Sequence, residues 1–436
     1  MSGRPAGRSL AAVEIVDAVV VGAGPAAAAA AIELARAGLE VVVLDRATFP
    51  RDKCCGDGLT TGALRSLEEL GLRPGTVPSW NRVDGCWIRS PSGRVAAFPF
   101  PAGGQFAAVA RRADLDRALV DVARAAGADV REGLAFRTLA WSEEGVTVTT
   151  EDGSDLAARY VVGADGVWSP VRKAVGASGP GYLGDWHAFR QYVRAPGADA
   201  RKLWVWFEPD LLPGYAWSFP LAEGVANVGF GIRRRPGTGP TVGADRLRRL
   251  LAAPYVEQTL GSGATAEASC RAWPIPARLP SSAVTGAGGR VLLAGDAARA
   301  ADPLTGEGIA QAVESGRAAA KAIETAGPTR PERASTHYRT ALHRGMAVDH
   351  RLAGALSRVL ASERGARVAV RTAAASPWTR AQFARWLFED YPRAAVATPW
   401  RWRPGLLNGA GAFGVAAGDA PPPRQTAGRE PVASTA

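Results

Sequence analysis

A short apolar strand that runs directly into glycines and a helix constrains the fold of this 436-residue chain more than any other feature. Residues 18–21 form the strand, Gly22 and Gly24 follow it, and an alanine-rich helix begins near Pro25. Glycines in such a turn let the backbone approach a diphosphate, and the N–H groups at the helix start attract the anion. A second apolar strand ends at Asp45, about 20 residues further on, where a carboxylate accepts a ribose hydrogen bond. The unit therefore predicts a dinucleotide-binding strand–helix–strand motif.

Ala27 lies where this pattern usually has its third glycine. A methyl group is tolerated there because the position serves the packing of the helix on the strand. A glycine-rich turn without a ligand is the alternative interpretation, and the combination of strand, helix and acidic residue argues against it.

Two later segments repeat the combination of an apolar strand, glycine and aspartate. They are residues 161–166 and residues 291–296. Their glycine, proline and acidic positions, with those that follow the second segment, are Asp165, Gly166, Gly295, Asp296, Pro303, Gly306 and Gly308. In this order and spacing, the three segments together indicate that the dinucleotide is a flavin.

Composition limits the class of protein. The chain is 47% hydrophobic and 21% charged, which is typical of a globular protein, and its length favours two or three domains. No apolar run approaches the roughly 20 residues that span a bilayer. The N-terminal residues lack the apolar core of a signal peptide, so we expect a cytoplasmic protein, with a membrane-peripheral location as the alternative.

The net charge of +11 comes almost entirely from arginine. No motif typical of nucleic-acid-binding proteins accompanies this charge, so we predict no nucleic-acid partner. A dispersed arginine surface is one explanation, and attraction to an anionic membrane or an anionic substrate is the other.

The cysteines and histidines do not form a recognised metal-binding pattern. The four cysteines are too few for a disulfide scaffold, and we expect them to be reduced. The four histidines lack the carboxylate–histidine spacing of zinc sites. We therefore predict no metal site.

The order of predicted elements indicates an α/β fold. It consists of a discontinuous, Rossmann-like FAD-binding domain, an inserted and mostly antiparallel β-sheet substrate domain, and C-terminal helices. The predicted bounds are 15–78, 105–178 and 286–330 for the FAD-binding domain, 79–104 and 179–285 for the substrate domain, and 331–408 for the helical region. Residues 1–14 and 409–436 are predicted to be disordered.

Two segments outside the cofactor motifs resemble a known family. Residues 49–59 contain the sequence Cys55-Gly-Asp-Gly58, and residues 214–220 carry an aromatic motif that is followed by residues 227–231. Both are similar to segments of the geranylgeranyl reductase family of FAD-dependent oxidoreductases, which has a p-hydroxybenzoate hydroxylase-like flavoprotein fold. The resemblance covers roughly residues 15–400.

The resemblance implies FAD as the cofactor and assigns a role to each motif. The first motif would hold the diphosphate and adenosine ribose, Arg112 would approach the ribityl–phosphate region, and Asp296 would accept from ribityl hydroxyls. Asp165 and Gly166 belong to a motif associated with both FAD and nicotinamide nucleotide, and residues 303–308 would lie beside the flavin ring. The implied cofactor-binding residues are Gly22, Gly24, Ala27, Asp45, Arg46, Arg112, Asp165, Gly166, Gly295, Asp296, Pro303, Gly306 and Gly308.

The resemblance places Cys55, Trp217 and Phe219 at the substrate pocket. Cys55 would either donate a proton to a substrate carbon or shape the pocket as a small packed side chain. Trp217 and Phe219 would form an apolar wall over the substrate, with packing in the sheet core as the alternative.

Three further residues around Cys55 have open roles. Asp57 is a second candidate acid, with a turn-forming role as the alternative. Arg51 and Lys53 would bind the FAD phosphate or a substrate anion, or lie on the surface.

Three functions are compatible with this pattern. The first is reduction of carbon–carbon double bonds of an isoprenoid or other apolar small molecule by hydride transfer from reduced flavin. The second is a monooxygenase, or less readily a halogenase, that acts on an aromatic or specialised metabolite through a flavin hydroperoxide. The third is a degenerate flavin fold that binds a lipid or partner without catalysis. The sequence does not predict an oligomeric state.

The electron donor and the role of the C-terminal helices stay open. Because one complete dinucleotide motif is present, NAD(P)H would dock transiently, or another reduced carrier would supply electrons. The tryptophans at positions 378, 386, 400 and 402 stand among arginines, which suits a peripheral membrane contact, a cap over a long substrate, or ordinary helix packing.

Overall fold

Strands and helices alternate at the start of the chain, and strands dominate its middle, within the residues that the computed structural model describes, 15–179, 181–235 and 239–414. The strands are β1 (Ile15–Val21), β2 (Val41–Asp45), β3 (Gly58–Thr60), β4 (Asn81–Arg82), β5 (Gly85–Arg89), β6 (Val95–Pro99), β7 (Ala107–Val109), β8 (Asp129–Glu132), β9 (Phe136–Trp141), β10 (Val146–Thr150), β11 (Asp155–Gly163), β12 (Trp186–Arg194), β13 (Leu203–Trp206), β14 (Tyr215–Pro220), β15 (Val225–Arg233), β16 (Thr265–Ala266), β17 (Arg271–Ile275), β18 (Thr285–Gly286) and β19 (Val291–Leu293). The helices are α1 (Pro25–Arg36), α2 (Thr61–Glu69), α3 (Arg112–Ala125), α4 (Pro170–Ala174), α5 (Pro240–Leu251), α6 (Pro254–Leu260), α7 (Ile309–Ala326), α8 (Pro331–Arg344), α9 (Met346–Leu360), α10 (Glu363–Ala373) and α11 (Pro377–Leu387).

The first sheet brings the three sequence segments to one edge. Its order is β18-β19-β11-β1-β2-β8, with β10 paired to β11 and β9 paired to β10. The pairs between β19, β11, β1, β2 and β8 are parallel. Parallel strands point their carboxyl ends in the same direction, so the loops after β1, β2, β11 and β19 lie next to one another. This is why residues more than 250 positions apart in the chain can form one site.

Close helix packing stabilises this edge. Residues 26–31 of α1 are all alanine and all buried, so α1 presents almost no side-chain bulk to its neighbours. Gly316 of α7 faces Ala26, and a Cβ atom added at Gly316 would lie 2.1 Å from the Ala26 carbonyl oxygen. The two helices therefore touch backbone to backbone, which only glycine permits at this position.

The second sheet is mostly antiparallel. Its order is β16-β12-β15-β14-β13-β5-β6, with β17 also paired to β12, and its parallel pair is β13 with β5. Helices α5 and α6 are inserted between β15 and β16, and the sequence interpretation did not place them. This architecture confirms the predicted α/β class with an inserted antiparallel sheet and C-terminal helices, while the exact domain bounds stay a proposal.

A buried ion-pair cluster attaches the C-terminal helices to the nucleotide-binding half. Arg393 donates to Asp302 at 3.1 Å and to Glu389 at 3.1 Å, and all three side chains are buried or nearly so. Glu389 also accepts from Gln311 of α7 and from Thr60 at the end of β3. Because these hydrogen bonds link the two segments, the region after α11 is held against the loop that precedes α7.

The predicted disorder at the ends is only partly within the described structure. Residues 1–14 and 415–436 lie outside the described residues. The prediction does not hold for residues 409–414, because Ala412 is buried and exchanges backbone hydrogen bonds with Gln105. Among the described helices, none is both long enough and apolar enough to cross a membrane.

Replacing Gly316 with alanine is expected to lower the free energy of unfolding by about 1–3 kcal/mol, because the added methyl forces α1 and α7 apart. Urea unfolding followed by tryptophan fluorescence measures this change. The matched control is Gly354→Ala in α9, where an added Cβ meets no atom within 4 Å. The control is expected to keep or raise the stability by about 0.5–1 kcal/mol. Equal stabilities of the two variants would contradict the backbone contact.

Candidate active site

A deep cavity of about 1150 Å³ opens at the carboxyl edge of the first sheet and continues under the second sheet. Residues from both sheets and from α9, α10 and α11 line it. The predicted site residues in its wall are Gly22, Gly24, Asp45, Arg46, Cys55, Arg112, Asp165, Gly166, Trp217, Phe219, Gly295, Asp296, Gly306 and Gly308. The fold thus brings together residues that the sequence placed in separate motifs.

Two of the predicted residues do not line the cavity. The Ala27 side chain is fully buried in α1, where it serves helix–sheet packing. Pro303 is also absent from the cavity wall, which is formed there by Ala301, Leu304 and Thr305. A contact of Ala27 or Pro303 with a cofactor is therefore not supported by the side-chain positions.

The start of α1 forms the anion-binding end of the cavity. Gly22 has a φ of 100°, and a Cβ atom there would meet the Ala164 carbonyl oxygen at 2.4 Å. Gly24 precedes Pro25 as the N-terminal cap residue and supplies no side-chain cap, so the first N–H groups of α1 point into the cavity mouth unblocked by a side chain. This is the arrangement that a diphosphate requires.

Two guanidinium groups lie beside this helix start. A Cβ atom at Gly24 would be 3.7 Å from Arg51 Nη2 and 3.9 Å from Arg112 Nη2. Arg112 donates two hydrogen bonds of 2.7 Å to Asp116, and Arg51 lies 3.0 Å from the same carboxylate. Burial opposes the charged form of Arg112, but Asp116 outweighs it and raises the pKa of Arg112 above its usual value. Both cations are therefore fixed at the diphosphate end.

Asp45 lies at the end of β2, where a ribose is expected. Its two carboxylate oxygens accept from the N–H groups of Ala23 at 2.7 Å and Ala47 at 2.8 Å. Each oxygen keeps a second lone pair, so Asp45 can still accept a hydrogen bond from a hydroxyl group. The backbone bonds hold its carboxylate at the cavity wall.

Asp296 lies near Lys53. The Lys53 Nζ atom is 3.8 Å from an Asp296 oxygen and 4.0 Å above the centre of the Trp273 ring. Burial lowers the pKa of Lys53, and Asp296 partly opposes this shift. The pair places a carboxylate and a cation at the cavity wall, which fits the assignment of Asp296 to sugar-like hydroxyls and keeps Lys53 at the site.

Asp165 serves the local fold. It accepts from the Ser169 hydroxyl and from the Val171 N–H at 2.9 Å, while Ser169 caps α4 through the Arg172 N–H. Burial raises the pKa of Asp165 to about 6, and these hydrogen bonds oppose the rise. Asp165 therefore stabilises the turn that shapes this part of the cavity, whereas Gly166 forms wall.

Glu307 lies in the cavity wall, two residues before α7 begins. Its carboxylate accepts from the N–H groups of Ile309 at 2.8 Å and Ala310 at 3.0 Å, so it caps the helix. Burial, together with the nearby Glu389 charge, raises the pKa of Glu307 to about 8. The sequence analysis did not name Glu307 as a site residue, although it lies between the two predicted glycines at 306 and 308.

These features fit FAD. The cavity has a helix start and two fixed cations for a diphosphate, carboxylates on both sides for ribose and ribityl hydroxyls, and the 304–309 loop for a flat ring. The turn after β1 also requires a glycine at position 22, because a Cβ atom there would collide with the Ala164 carbonyl.

Beyond this polar part, the cavity continues as an apolar channel. We use this name for the part lined by side chains of the second sheet and the C-terminal helices. These are Ile88, Leu203, Val205, Phe207, Leu356, Val359, Leu360, Val370, Phe383, Trp386, Leu387 and Phe388. Trp386 is the one among the four noted C-terminal tryptophans that lies in the wall; Trp378, Trp400 and Trp402 are exposed by 65%, 71% and 61%.

A loop carrying Cys55 lies where the polar and apolar parts meet. Cβ atoms added at Gly56 and Gly58 would touch the Phe219 ring at 3.4 and 3.1 Å. The Trp217 and Phe219 rings lie 6.0 Å apart. Trp217 and Phe219 therefore line the cavity and also pack under the Cys55 loop, so both roles expected from the sequence apply.

Asp57 is buried beneath the same loop with a φ of 65°. Tyr192 donates to its Oδ2 atom at 2.7 Å and Asn227 at 2.8 Å, while its Oδ1 atom has no hydrogen-bond partner among the described residues. Burial raises the pKa of Asp57 to about 6, against the effect of these two donors. Asn227 also donates to the Cys55 carbonyl and accepts from Trp217, so Asp57 and Asn227 together hold the Cys55 loop on the sheet.

The two adjacent thiols have different surroundings. The Asp57 N–H donates to Cys55 Sγ at 3.4 Å, and burial raises the pKa of Cys55, with Arg112 opposing the rise. Burial raises the pKa of Cys54 to about 12, with Arg190 opposing it. Both thiols are therefore protonated at neutral pH, and Cys55 is the one with Arg112 nearby.

Comparison with known proteins places this site in a family. The family described as FAD binding domain matches residues 15–344. The chain is 36% identical to menaquinone reductase of Mycobacterium tuberculosis over 332 residues, covering 71% of this chain and 76% of that protein. It is 35% identical to digeranylgeranylglycerophospholipid reductase 1 of Methanopyrus kandleri, covering 70% of this chain and 79% of that protein.

A solved structure shows the same fold. The geranylgeranyl bacteriochlorophyll reductase-like protein of Thermoplasma acidophilum superposes with a TM-score of 0.72 at 22% identity, covering 89% of this chain and all of that chain. Together with the sequence relatives, this confirms the resemblance noted from residues 49–59 and 214–220. The chain is an enzyme that uses FAD, and it belongs to the geranylgeranyl reductase family of FAD-dependent oxidoreductases.

Proposed function

We propose that this enzyme saturates carbon–carbon double bonds of an isoprenoid chain that lies in the apolar channel. The observation that carries the proposal is the continuity of one cavity, from the diphosphate end through the Cys55 loop to α9, α10 and α11. A cavity part lined by aliphatic and aromatic side chains suits a polyprenyl chain, and these walls exclude water from the reacting carbons.

Reduced FAD, held at the diphosphate end and beside the 304–309 loop, would supply a hydride to one carbon of the double bond. The neighbouring carbon would then require a proton from the protein. We assign the proton to the Cys55 thiol, which is protonated and lines the cavity where its polar and apolar parts meet. Loss of the proton leaves a thiolate, which the nearby Arg112 cation stabilises.

The names of the relatives support the same substrate class as the lining of the channel does. The names of the two relatives refer to menaquinone and to a digeranylgeranyl phospholipid, and both molecules carry polyprenyl chains. We propose a substrate of this type, NAD(P)H or another reduced carrier as transient electron donor, and peripheral contact with the membrane that holds such a substrate. The exposed side chains of Trp378, Trp400 and Trp402 support the membrane contact.

Anaerobic reoxidation tests the proposed reaction. The purified enzyme, reduced without oxygen, is mixed with geranylgeraniol and followed by flavin absorbance. We expect rapid reoxidation and a more saturated alcohol as product, because the alkene is the only electron acceptor. The matched control is the fully saturated C20 alcohol, which fills the channel equally but accepts no hydride.

The opposite outcome would favour oxygenation. If neither alcohol reoxidises the enzyme until air is added, and oxygen uptake then matches substrate consumed, the enzyme is a monooxygenase. This outcome would reject the reductase proposal and leave the FAD site unaffected.

The neighbouring cysteines provide a matched pair for the proton step. Cys55→Ala is expected to slow alkene reduction about 100-fold, which is the usual contribution of a positioned acid. Cys54→Ala removes the same atoms one residue away and is expected to keep the rate within a small factor. FAD content, measured by absorbance, checks that both variants keep the cofactor. A Cys55→Ala enzyme with a normal rate would show that Cys55 only shapes the pocket.

The buried Asp57 is expected to make stability depend on pH. Because its pKa is raised on folding, the folded state holds the proton more tightly than the unfolded state, and the free energy of unfolding falls as pH rises from about 4 to about 6. Asp57→Asn keeps an oxygen that accepts from Tyr192 and Asn227 but cannot titrate. It is therefore expected to reduce the loss in the free energy of unfolding between pH 4 and pH 7 by up to about 3 kcal/mol. Urea unfolding at pH 4 and pH 7 measures the difference.

The exposed Asp245→Asn substitution in α5 is the control for this measurement. We expect the stability difference between Asp57→Asn and the unmodified enzyme to be near zero at pH 4 and to favour the variant at pH 7. A difference that does not change with pH would mean that Asp57 is not a titrating buried acid.

A further inference from the structure

A second cavity of about 450 Å³ lies where the turn between β5 and β6 meets α10. Four arginines, Arg94, Arg364, Arg367 and Arg371, surround it together with Ser90 and Ser92. We call it the arginine cleft. It is separate from the FAD site, and neither the motifs nor the family assignment accounts for it.

The spacing of α10 explains how three of the cations meet. Arg364, Arg367 and Arg371 are three and four positions apart, so they project from one side of the helix. Ala366 and Ala373 of the same helix are buried, and Val370 is buried at the edge of the cleft. Helix α10 therefore presents a basic face to solvent because its other face packs on the protein.

The β5–β6 turn supplies the rest of the cleft. Arg94 follows the turn, whose backbone is closed by a 2.9 Å hydrogen bond from the Ser90 N–H to the Arg94 carbonyl. The Ser90 and Ser92 hydroxyl groups lie 3.0 Å apart at its base. The cleft thus combines guanidinium donors with two hydroxyl donors.

None of these four guanidinium groups forms an ion pair or a hydrogen bond with the chain as far as it is described, which is residues 15–179, 181–235 and 239–414. Other arginines close by are paired, since Arg89 contacts Glu208 at 2.9 Å and Arg401 contacts Asp349 at 2.8 Å. Like charges gathered without a counter-charge repel one another. A bound anion would remove that repulsion.

A phosphate group fits this donor set better than a single carboxylate. The planar guanidinium fork donates two hydrogen bonds to phosphate oxygens, and serine hydroxyls donate to the same group. Four cations match a group that carries more than one negative charge. The cleft volume of about 450 Å³ holds a phosphate or a diphosphate.

The cleft adjoins the apolar channel. Val370 lines both cavities, and Ala369 beside it lines the channel. Val359 of α9 also lines the channel and is 55% exposed, so the channel reaches the surface near α10. The two cavities are separate and share the wall at Val370, so the anionic head and the apolar chain of one amphiphile would have neighbouring binding places.

We propose that the arginine cleft binds the phosphate group of an amphiphile whose isoprenoid chain enters the apolar channel. The binding of the isoprenoid chain in the channel rests on the proposed function. The binding of phosphate in the arginine cleft does not. Two carriers have this chemistry: a water-soluble polyprenyl diphosphate, and an anionic phospholipid at a membrane surface.

The test compares two triple variants of the FAD-loaded enzyme. The cleft variant is Arg364→Gln, Arg367→Gln and Arg371→Gln, in which glutamine keeps a high helix propensity. The control variant is Arg333→Gln, Arg339→Gln and Arg344→Gln in α8, where the arginines are also exposed and the same charge is lost. FAD absorbance and the melting temperature confirm that both variants are folded.

Calorimetry with geranylgeranyl diphosphate and with geranylgeraniol forms the first arm. Co-sedimentation with vesicles of phosphatidylglycerol and of phosphatidylcholine forms the second. For a soluble carrier, the unmodified and control enzymes bind the diphosphate about tenfold or more tightly than the alcohol, and the cleft variant loses this preference. For a membrane carrier, the unmodified and control enzymes bind phosphatidylglycerol vesicles in preference to phosphatidylcholine vesicles. The cleft variant loses this preference.

Equal behaviour of the cleft and control variants in both arms overturns the proposal. Neither arm depends on turnover, so a failure of the reductase proposal is seen separately, as absent reoxidation by geranylgeraniol. Raising the salt concentration provides a further check, because it should weaken diphosphate binding and leave alcohol binding unchanged.

Discussion

The backbone contact between α1 and α7 is the constraint on which the site depends. Gly316 allows α7 to touch the carbonyl of Ala26, and a Cβ at Gly295 would also approach the Ala26 methyl at 3.0 Å. The first turn of α1 is thus enclosed by glycines on the sides where it meets the chain after β19. Since α1 begins at the diphosphate end and α7 begins at the 304–309 loop, this one contact sets the distance between the two ends of the cofactor site.

A second constraint is the placement of buried charge around the cavity. The Asp302–Arg393–Glu389 cluster joins the loop before α7 to the segment after α11, so the walls of the apolar channel and the flavin-ring loop are held by one network. Burying such groups is costly unless they are paired, and pairing defines a single arrangement of the helices. Asp57 and Asn227 do the same for the Cys55 loop. Asp57 accepts hydrogen bonds from Tyr192 and Asn227, and Asn227 also donates to the carbonyl of Cys55.

Local patterns were sufficient for the nucleotide-binding half. The glycines at 22 and 24, the acid at 45 and the later motifs each follow a predicted strand, and parallel strands place such residues at one edge. The direction of individual side chains could not be predicted from local patterns. Ala27 is buried in the packing of α1, and the Asp165 carboxylate accepts a hydrogen bond from the start of α4. The helices α5 and α6 and the channel residues of α9, α10 and α11 also depended on packing that no local spacing records.

The sequence by itself determined the cofactor class, the α/β fold and the family, because strand–glycine–helix motifs act through backbone geometry that is local. Only the tertiary structure decided which side chains meet across long separations in the chain. It placed the loop that carries Cys55 against Trp217 and Phe219, joined Arg94 to the arginines of α10, and extended the cavity to Trp386. Such contacts arise from how sheets and helices pack, and packing reflects the shape and volume of the whole core and leaves no periodic signal in any one segment.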